Sequence, residues 1–578
     1  MKRLIAISCI VLSALSAAAQ VKPHPRLLEA PVLQENAPWY IRQIDSTITA
    51  FSGEMLAAPP CERKMTGRRL LGTSREVLKR VFWLSYTYRA HGGVEYARRA
   101  VDEMLAASSF TDWNPSHFLD VGEMTMALSI GYDWLYDRMS VEERKTIAAA
   151  IIEKGLKPAL NASDAWFYDT EINWNSVCNA GIVYGALAVW EEAPEFCRDM
   201  LEKSLKSKQL AYNAYSEDGG FPEGYNYWGY GTSFQIMMEA VLETAVLPEG
   251  FLKSARFMQF MSTPAGRCFS FSDCYGRANF QPMQAWMAAK TGNLSILDTE
   301  LRLLKMGCKP AEERLLPFFL LYAPVADIPR PQGNVFHSSG TTPVYIYREG
   351  WDSTADDYLA LKGGLAQSSH SHQDQGSFFF ESDGVAWATD LGMQEYNSLE
   401  SIGLDLWDMT QESERWEVFR IGPWSHNIIT VNGHAPKVNH AVDFSGFYGG
   451  RRHGAAMDLK ALYDEDLAAC RREVWLEDGV LHVMDYLEAG DKPCEVRWAM
   501  CTEASAKVRK GAVILRSGRQ KRTLRAFCAD IPLTPAVWSA SYPGPYLHDY
   551  DAPNPGRTMT GYTFSLKPGQ KVQLHVVL

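Results

Sequence analysis

A chain of 578 residues exceeds the size at which one hydrophobic core stops growing, so two or more domains are expected. With 46% hydrophobic and 22% charged residues it has the composition of a folded protein, not a disordered one. A net charge of −11 argues against a nonspecific nucleic-acid binder, which carries a broad basic surface, and a polyanionic ligand would need a locally positive cleft.

The N-terminus reads Lys2-Arg3, an apolar stretch from Leu4 to Leu15, then Ser16-Ala17-Ala18-Ala19-Gln20. A basic start, a short apolar core and small residues before a cleavage point are a secretory signal, expected to span 1–19 and to end near Ala19. Export to the periplasm or the medium follows. Cys9 lies within the apolar core and is too early for a lipid anchor. No later stretch reaches the ~18–20 apolar residues of a spanning helix. The ten remaining cysteines show no C-x-x-C pair and read as small buried residues, with no disulfide assigned.

From 20 to 323 the apolar spacing is helical. Asp120 to Met139 carries Met124, Leu128, Trp134 and Leu135, and Ser140-Val141-Glu142-Glu143 opens the next helix as a capping box. Lys145–Leu160, Ile182–Trp190, Glu195–Tyr212, Ser233–Thr244 and Gln281–Thr291 continue near the 3.6 period. Helix after helix with short connections predicts an all-α layer, either a solenoid or an α/α barrel.

A Pro/Gly-rich linker is expected at 324–340. Beyond it, from 341 to 578, short Val/Ile/Tyr/Phe runs at Pro343–Arg348, Asp357–Lys362, Ser377–Glu381, Ile428–Val431, Val480–Leu487 and Tyr562–Leu578 read as strands. Asp383-Gly384, Asn432-Gly433 and Asp478-Gly479 are hairpin dipeptides. The C-terminal half is therefore expected to be a large antiparallel β domain, a sandwich of sheets.

The densest chemistry lies in His370-Ser371-His372-Gln373-Asp374, just before Gly376-Ser377-Phe378-Phe379-Phe380. Read as the mouth of a strand, where alternate side chains share a face, it would project both imidazoles into one place. Asp390 and His426 complete with His372 a His/Asp/His set suited to zinc, with room for a water. The plainer alternative makes His372 a surface residue, Asp390 a turn residue and His426 the start of a strand. His370, unliganded beside a cation, is disposed to stay neutral and accept a proton.

Two further segments stand out in the helical half. Asp218 to Gly231 is too rich in Gly and Pro for a helix interior and predicts an aromatic loop bearing Tyr225, Tyr227 and Tyr230. A tyrosine titrating near ~10 needs cationic or hydrogen-bonding help to act as a base, and otherwise packs or stacks on a ligand. Glu171 to Asn179 places Asn173, Asn175 and Asn179 around Trp174, amides able to donate to an anion but equally at home as caps or turns.

In order, Asn-Trp-Asn, Asp-Gly-Gly-x-x-Glu-x-x-x-Tyr-x-x-Tyr, Ser-His-x-His-x-Asp-x-Gly-x-Phe, Asp-x-Gly and Ser-His-Asn resemble the heparinase II/III-like polysaccharide lyases, a superfamily that includes alginate and oligoalginate lyases. The resemblance spans most of the mature chain. It implies an N-terminal α/α toroid (an incomplete barrel) followed by a C-terminal antiparallel β-sandwich, and cleavage of acidic polysaccharides by β-elimination. Asn175, with Asn173 in reserve, resembles the residue that neutralises the uronate carboxylate. Tyr227 resembles the acid/base residue, with Tyr230 its close competitor and His370 the second. Tyr396 is similar to a cleft-lining tyrosine. Many relatives carry His where this chain has Asn175, so Tyr227 would perform both transfers in a syn geometry. His372, Asp390 and His426 match the ligands of a structural zinc ion.

Glu223 and Arg420 join Asn173, Tyr230 and Tyr396 as expected substrate contacts, and Arg415 and Arg451-Arg452-His453 are further sources of positive charge. The expected activity is therefore a secreted lyase acting on a uronic-acid polymer, a glycosaminoglycan such as heparin, heparan sulfate, chondroitin or hyaluronan first, leaving an unsaturated uronate end. Alternatives are a lyase for alginate or another uronate polymer, an α/α-toroid glycoside hydrolase using Asp218 and Glu223, a metal-dependent hydrolase, or a noncatalytic carbohydrate-binding protein.

Overall fold

The computed structural model describes residues 22–29, 36–529 and 531–578. The expected leader at 1–19 lies outside the described residues. The chain divides into two compact units, and the division is not a single cut in the sequence: Tyr215–Trp228 and Glu249–Ala278 group with Arg330–Leu578, while the rest of the helical region forms the other unit. The segment expected as a linker already holds a strand, Val335–His337.

In the helical unit, successive inner helices Leu71–His91, Phe118–Trp134, Asn173–Ala188 and Ser233–Val241 lie side by side, and the outer helices Val94–Ser109 and Pro194–Ala211 each cover a neighbour. Sequence pattern sets the layer. Phe118–Trp134 spreads apolar and small residues round the helix, with only Asp120, Glu123 and Asp133 charged, and is buried along its whole length, as a helix without a polar face is. Val94–Ser109 instead buries Ala97, Ala100, Val101, Met104 and Ala107 at helical spacing. Where Phe118–Trp134 crosses Asn173–Ala188, a Cβ on Gly181 would sit 2.4 Å from the Gly122 carbonyl oxygen, so glycine permits the backbone contact. The expected capping box at Ser140 forms: Ser140 N–H donates to Glu143 (2.8 Å) and Glu143 N–H to the Ser140 hydroxyl (3.2 Å). The helix that follows ends at Ala150, earlier than expected, in a π turn (Ile151–Leu156) and a 3-10 turn holding Pro158, which cannot continue an α-helix.

The second unit is antiparallel β. A five-stranded meander runs Val335–His337, Val344–Arg348, Tyr358–Lys362, Phe378–Ser382 and Val385–Ala388. An eight-stranded sheet is built around Leu467–Glu477 and Val480–Ala489, and a four-stranded sheet around Cys494–Thr502 and Thr558–Leu566. Phe378, Phe380, Trp387, Val474, Leu476, Trp498 and Leu574 share one core among these sheets. All three expected hairpin dipeptides have positive φ at both residues, for example Asp478 at 50° and Gly479 at 76°, the mirror-image turn whose twist matches the strands. The expected strand mouth at His370 is also absent. Residues 370–377 are irregular, and the strand begins only at Phe378.

Candidate active site

Because 370–377 is not a strand, His370 and His372 do not converge by alternation. They converge on a carboxylate that the motifs do not contain, Asp273. Its Oδ1 lies 3.0 Å from His372 Nε2, and its Oδ2 lies 3.0 Å from His370 Nδ1 and 2.7 Å from the donating Tyr396 hydroxyl. Arg415, fully buried and donating to the carbonyls of Leu406 and Ser371, holds Nη2 3.9 Å from the same Oδ2. Burial resists the Asp273 charge, but the hydrogen bonds from His370 and His372 and the Arg415 charge prevail and hold the carboxyl far below the usual carboxylate range.

On the other side stand the tyrosines. Tyr227 stacks on His370 at 3.7 Å between ring centres and 13° between planes, and its hydroxyl lies 2.7 Å from that of Tyr396. Tyr396 opens a short helix, Tyr396–Glu400; burial and the Asp273 charge raise its phenol well above the ordinary tyrosine value. Glu223 Oε1 is 3.7 Å from His370 Nε2. Trp407, 41% exposed, sets its ring at 89° to His370 (5.7 Å) and at 70° to Tyr396 (5.2 Å). The arrangement joins a half-buried phenol, an imidazole and an open indole face, a set able to move protons beside a stacked sugar.

His372, Asp390 and His426 form a buried trio whose candidate ligand atoms all lie within 4.8 Å of one another. His426 Nδ1 is 2.6 Å from Asp390 Oδ2, and Gly392 N–H donates to Asp390 Oδ1 at 2.8 Å. Gly392 cannot be replaced cheaply, because at φ +64° its Cβ would fall 1.9 Å from the Cys274 carbonyl oxygen. His372 Nδ1 and His426 Nε2 are buried with no hydrogen-bond partner. Two orphaned imidazole nitrogens beside a carboxylate are what a tetrahedral N/O metal site requires, so the residues fit an ion such as zinc. Asp374 pairs with Lys362, both fully buried, and is structural.

Other expected site residues are engaged elsewhere. Asn175 is fully buried, and its amide donates to the Thr170 carbonyl (2.9 Å), the Ser207 carbonyl (3.1 Å) and the Ser207 hydroxyl (3.0 Å), leaving nothing to offer an anion. This corrects its reading as a carboxylate neutraliser. Asn173 is buried at the start of the same helix, beside Gly231. Tyr230 lies under Arg75 (4.9 Å) and Arg314 (5.5 Å), and burial lifts its phenol far above the usual value. Arg420 donates to Asn554 and to the carbonyls of Met393 and Pro553, an internal brace in place of the expected substrate contact. Asp218 accepts from Ser216 and from both the N–H and hydroxyl of Ser339 (2.8 and 2.9 Å). Burial opposes its charge, yet these donors hold its carboxyl below the usual carboxylate range, the wrong direction for a proton-donating acid of a glycoside hydrolase.

Residues 350–546 match the family Heparinase II/III-like, C-terminal. Among solved structures, the chain is similar to Heparinase III, with a TM-score of 0.63 and 13% identity over 99% of this chain and 89% of that one. It is also similar to the heparan sulfate lyase HepC from Pedobacter heparinus, with a TM-score of 0.54 and 13% identity over 93% and 88%. No curated protein matches the sequence. At such identities the likeness is one of fold. The family match bears out the heparinase II/III-like resemblance, and the shared architecture bears out a helical toroid followed by antiparallel sheets. Among the described residues, no helix is long and apolar enough to cross a membrane.

Proposed function

We propose that the chain is an exported polysaccharide lyase that cleaves a uronic-acid polymer by β-elimination, with a glycosaminoglycan as the preferred substrate class. The observation that carries this reading is the Tyr227 phenol stacked on His370 with its hydroxyl 2.7 Å from Tyr396. The C5–H bond of the uronate breaks as its electron pair forms the C4=C5 double bond, and the C4–O4 bond breaks as the leaving oxygen takes a proton. Tyr227 acts as the phenolate: it takes the C5 proton to become the phenol, then gives that proton to O4 from the same side, which regenerates the phenolate. Each such transfer is worth about 10²–10⁴-fold. His370 donates toward the uronate carboxylate, whose charge must be offset for C5 to lose a proton.

His372, Asp390 and His426 hold a zinc ion of structural type. When bound, the ion supplies a cross-link between the loops that carry these ligands, and the chemistry stays with the side chains.

Purified protein incubated with heparan sulfate, chondroitin, hyaluronan and alginate tests the reading through absorbance of the unsaturated uronate. New reducing ends without that absorbance would identify a hydrolase instead.

A further inference from the structure

Asp273 sits in the Glu249–Ala278 segment, outside every motif that carries the family resemblance, yet it meets each side chain of the proposed site that lies nearest it. A carboxylate only accepts hydrogen bonds, so every partner at 3.0 Å or less must donate. His372 therefore carries its proton on Nε2, which turns the lone pair of its orphaned Nδ1 toward the Asp390 and His426 trio. His370 carries a proton on Nδ1. Tyr396 donates to Oδ2, so its oxygen is left to accept from Tyr227.

We propose that Asp273 is the positioning residue that couples the metal trio to the Tyr227, Tyr396 and His370 group, one carboxylate oxygen facing each. The inference rests on the lyase reading for the chemistry of that group, but not for its geometry. The loop is fixed on both flanks: Asp273 N–H donates to the His370 carbonyl (3.1 Å), and Met393 N–H donates to the Cys274 carbonyl (2.9 Å) three residues past Asp390. A single side chain thus sets the tautomers of two imidazoles and the direction of a hydroxyl chain. Outer-shell carboxylates of this kind are worth roughly 10- to 100-fold in metal affinity or activity.

Asp273→Asn tests it, because an amide offers one acceptor and one donor and cannot satisfy both sides. The expected result is zinc affinity, measured by chelator competition, weaker by about 10–100-fold, together with a fall in kcat at nearly constant KM. Tyr396→Phe, which removes only the hydroxyl, should lower kcat and leave zinc affinity within about twofold. If Asp273→Asn changes one of the two properties and spares the other, the coupling is wrong. Should that variant not fold, ¹⁵N NMR of histidine-labelled, metal-free parent protein reads the tautomers directly. Nε2–H on His372 with Nδ1–H on His370 is expected, and either opposite tautomer overturns the proposal. Zinc affinity and tautomers need no substrate, so a parent protein inactive on every polymer would sink the lyase reading and leave this test standing.

Discussion

Asp273 and His370 are joined twice, through the Asp273 backbone N–H to the His370 carbonyl (3.1 Å) and through the His370 ring to the Asp273 carboxylate (3.0 Å). His370 has φ of +60°, and Ser272, just before Asp273, has +59°. Left-handed backbone at a non-glycine residue costs of order 1–2 kcal/mol and persists where its surroundings over-determine it. The double link is that over-determination, and it orients the imidazole under the Tyr227 ring.

Removal of the proposed zinc ion should destabilise the protein. Loss of His426, whose ring is fully buried against Asp390, leaves two ligands of three. His426→Ala is expected to purify with little zinc and to melt several degrees lower, and chelator should lower the melting temperature of the parent but not of the variant. Full zinc content in His426→Ala, read by elemental analysis, would remove this residue from the site.

Trp407 presents an open ring edge-on to His370 and Tyr396. Covering a few tens of Å² of such a face with a sugar stabilises by about 0.5–1.5 kcal/mol, at roughly 25 cal/mol per Å². Trp407→Ala should therefore raise KM roughly 2- to 10-fold with a smaller change in kcat, as steady-state kinetics on the cleaved polymer will report.

Glu300 is buried in the helical unit, accepting from the Gln281 N–H at 2.7 Å, and burial pushes its carboxyl up to about 8 from 4.5. Below the unfolded value both states are protonated and folding pays nothing; between the two values only the unfolded state ionises. Stability thus falls as pH rises from about 4.5 to about 8, by roughly 1.4 kcal/mol per unit for this group. Glu300→Gln keeps an acceptor for Gln281 and removes the titration. Denaturant melts should show the variant gaining on the parent across that window; parallel curves would contradict the assignment.

Local chemistry made much of the fold legible. Asp-Gly and Asn-Gly between β-rich runs dictate mirror-image turns, and Ser140 with Glu143 dictates a helix start, because each signal is complete within a few residues. The metal trio was legible by ligand type. What sequence spacing could not supply was the tertiary partner. Asp273 lies 97 residues from His370 in a Ser-Asp-Cys stretch that reads as a turn, so nothing local marks it. Asn175 shows the converse: its motif position is conspicuous, but Ser207, 32 residues away, takes its amide. The convergence of His370 and His372 was expected for the wrong reason, since a carboxylate and a left-handed residue achieve what strand alternation would have done.

The central claim is that Tyr227 moves the proton. Tyr227→Phe keeps the ring that stacks on His370 and deletes only the hydroxyl, so absorbance of unsaturated uronate should fall by at least about 10²-fold on whichever uronate polymer the parent cleaves. Near-normal product formation by a folded, zinc-loaded Tyr227→Phe protein would contradict the account.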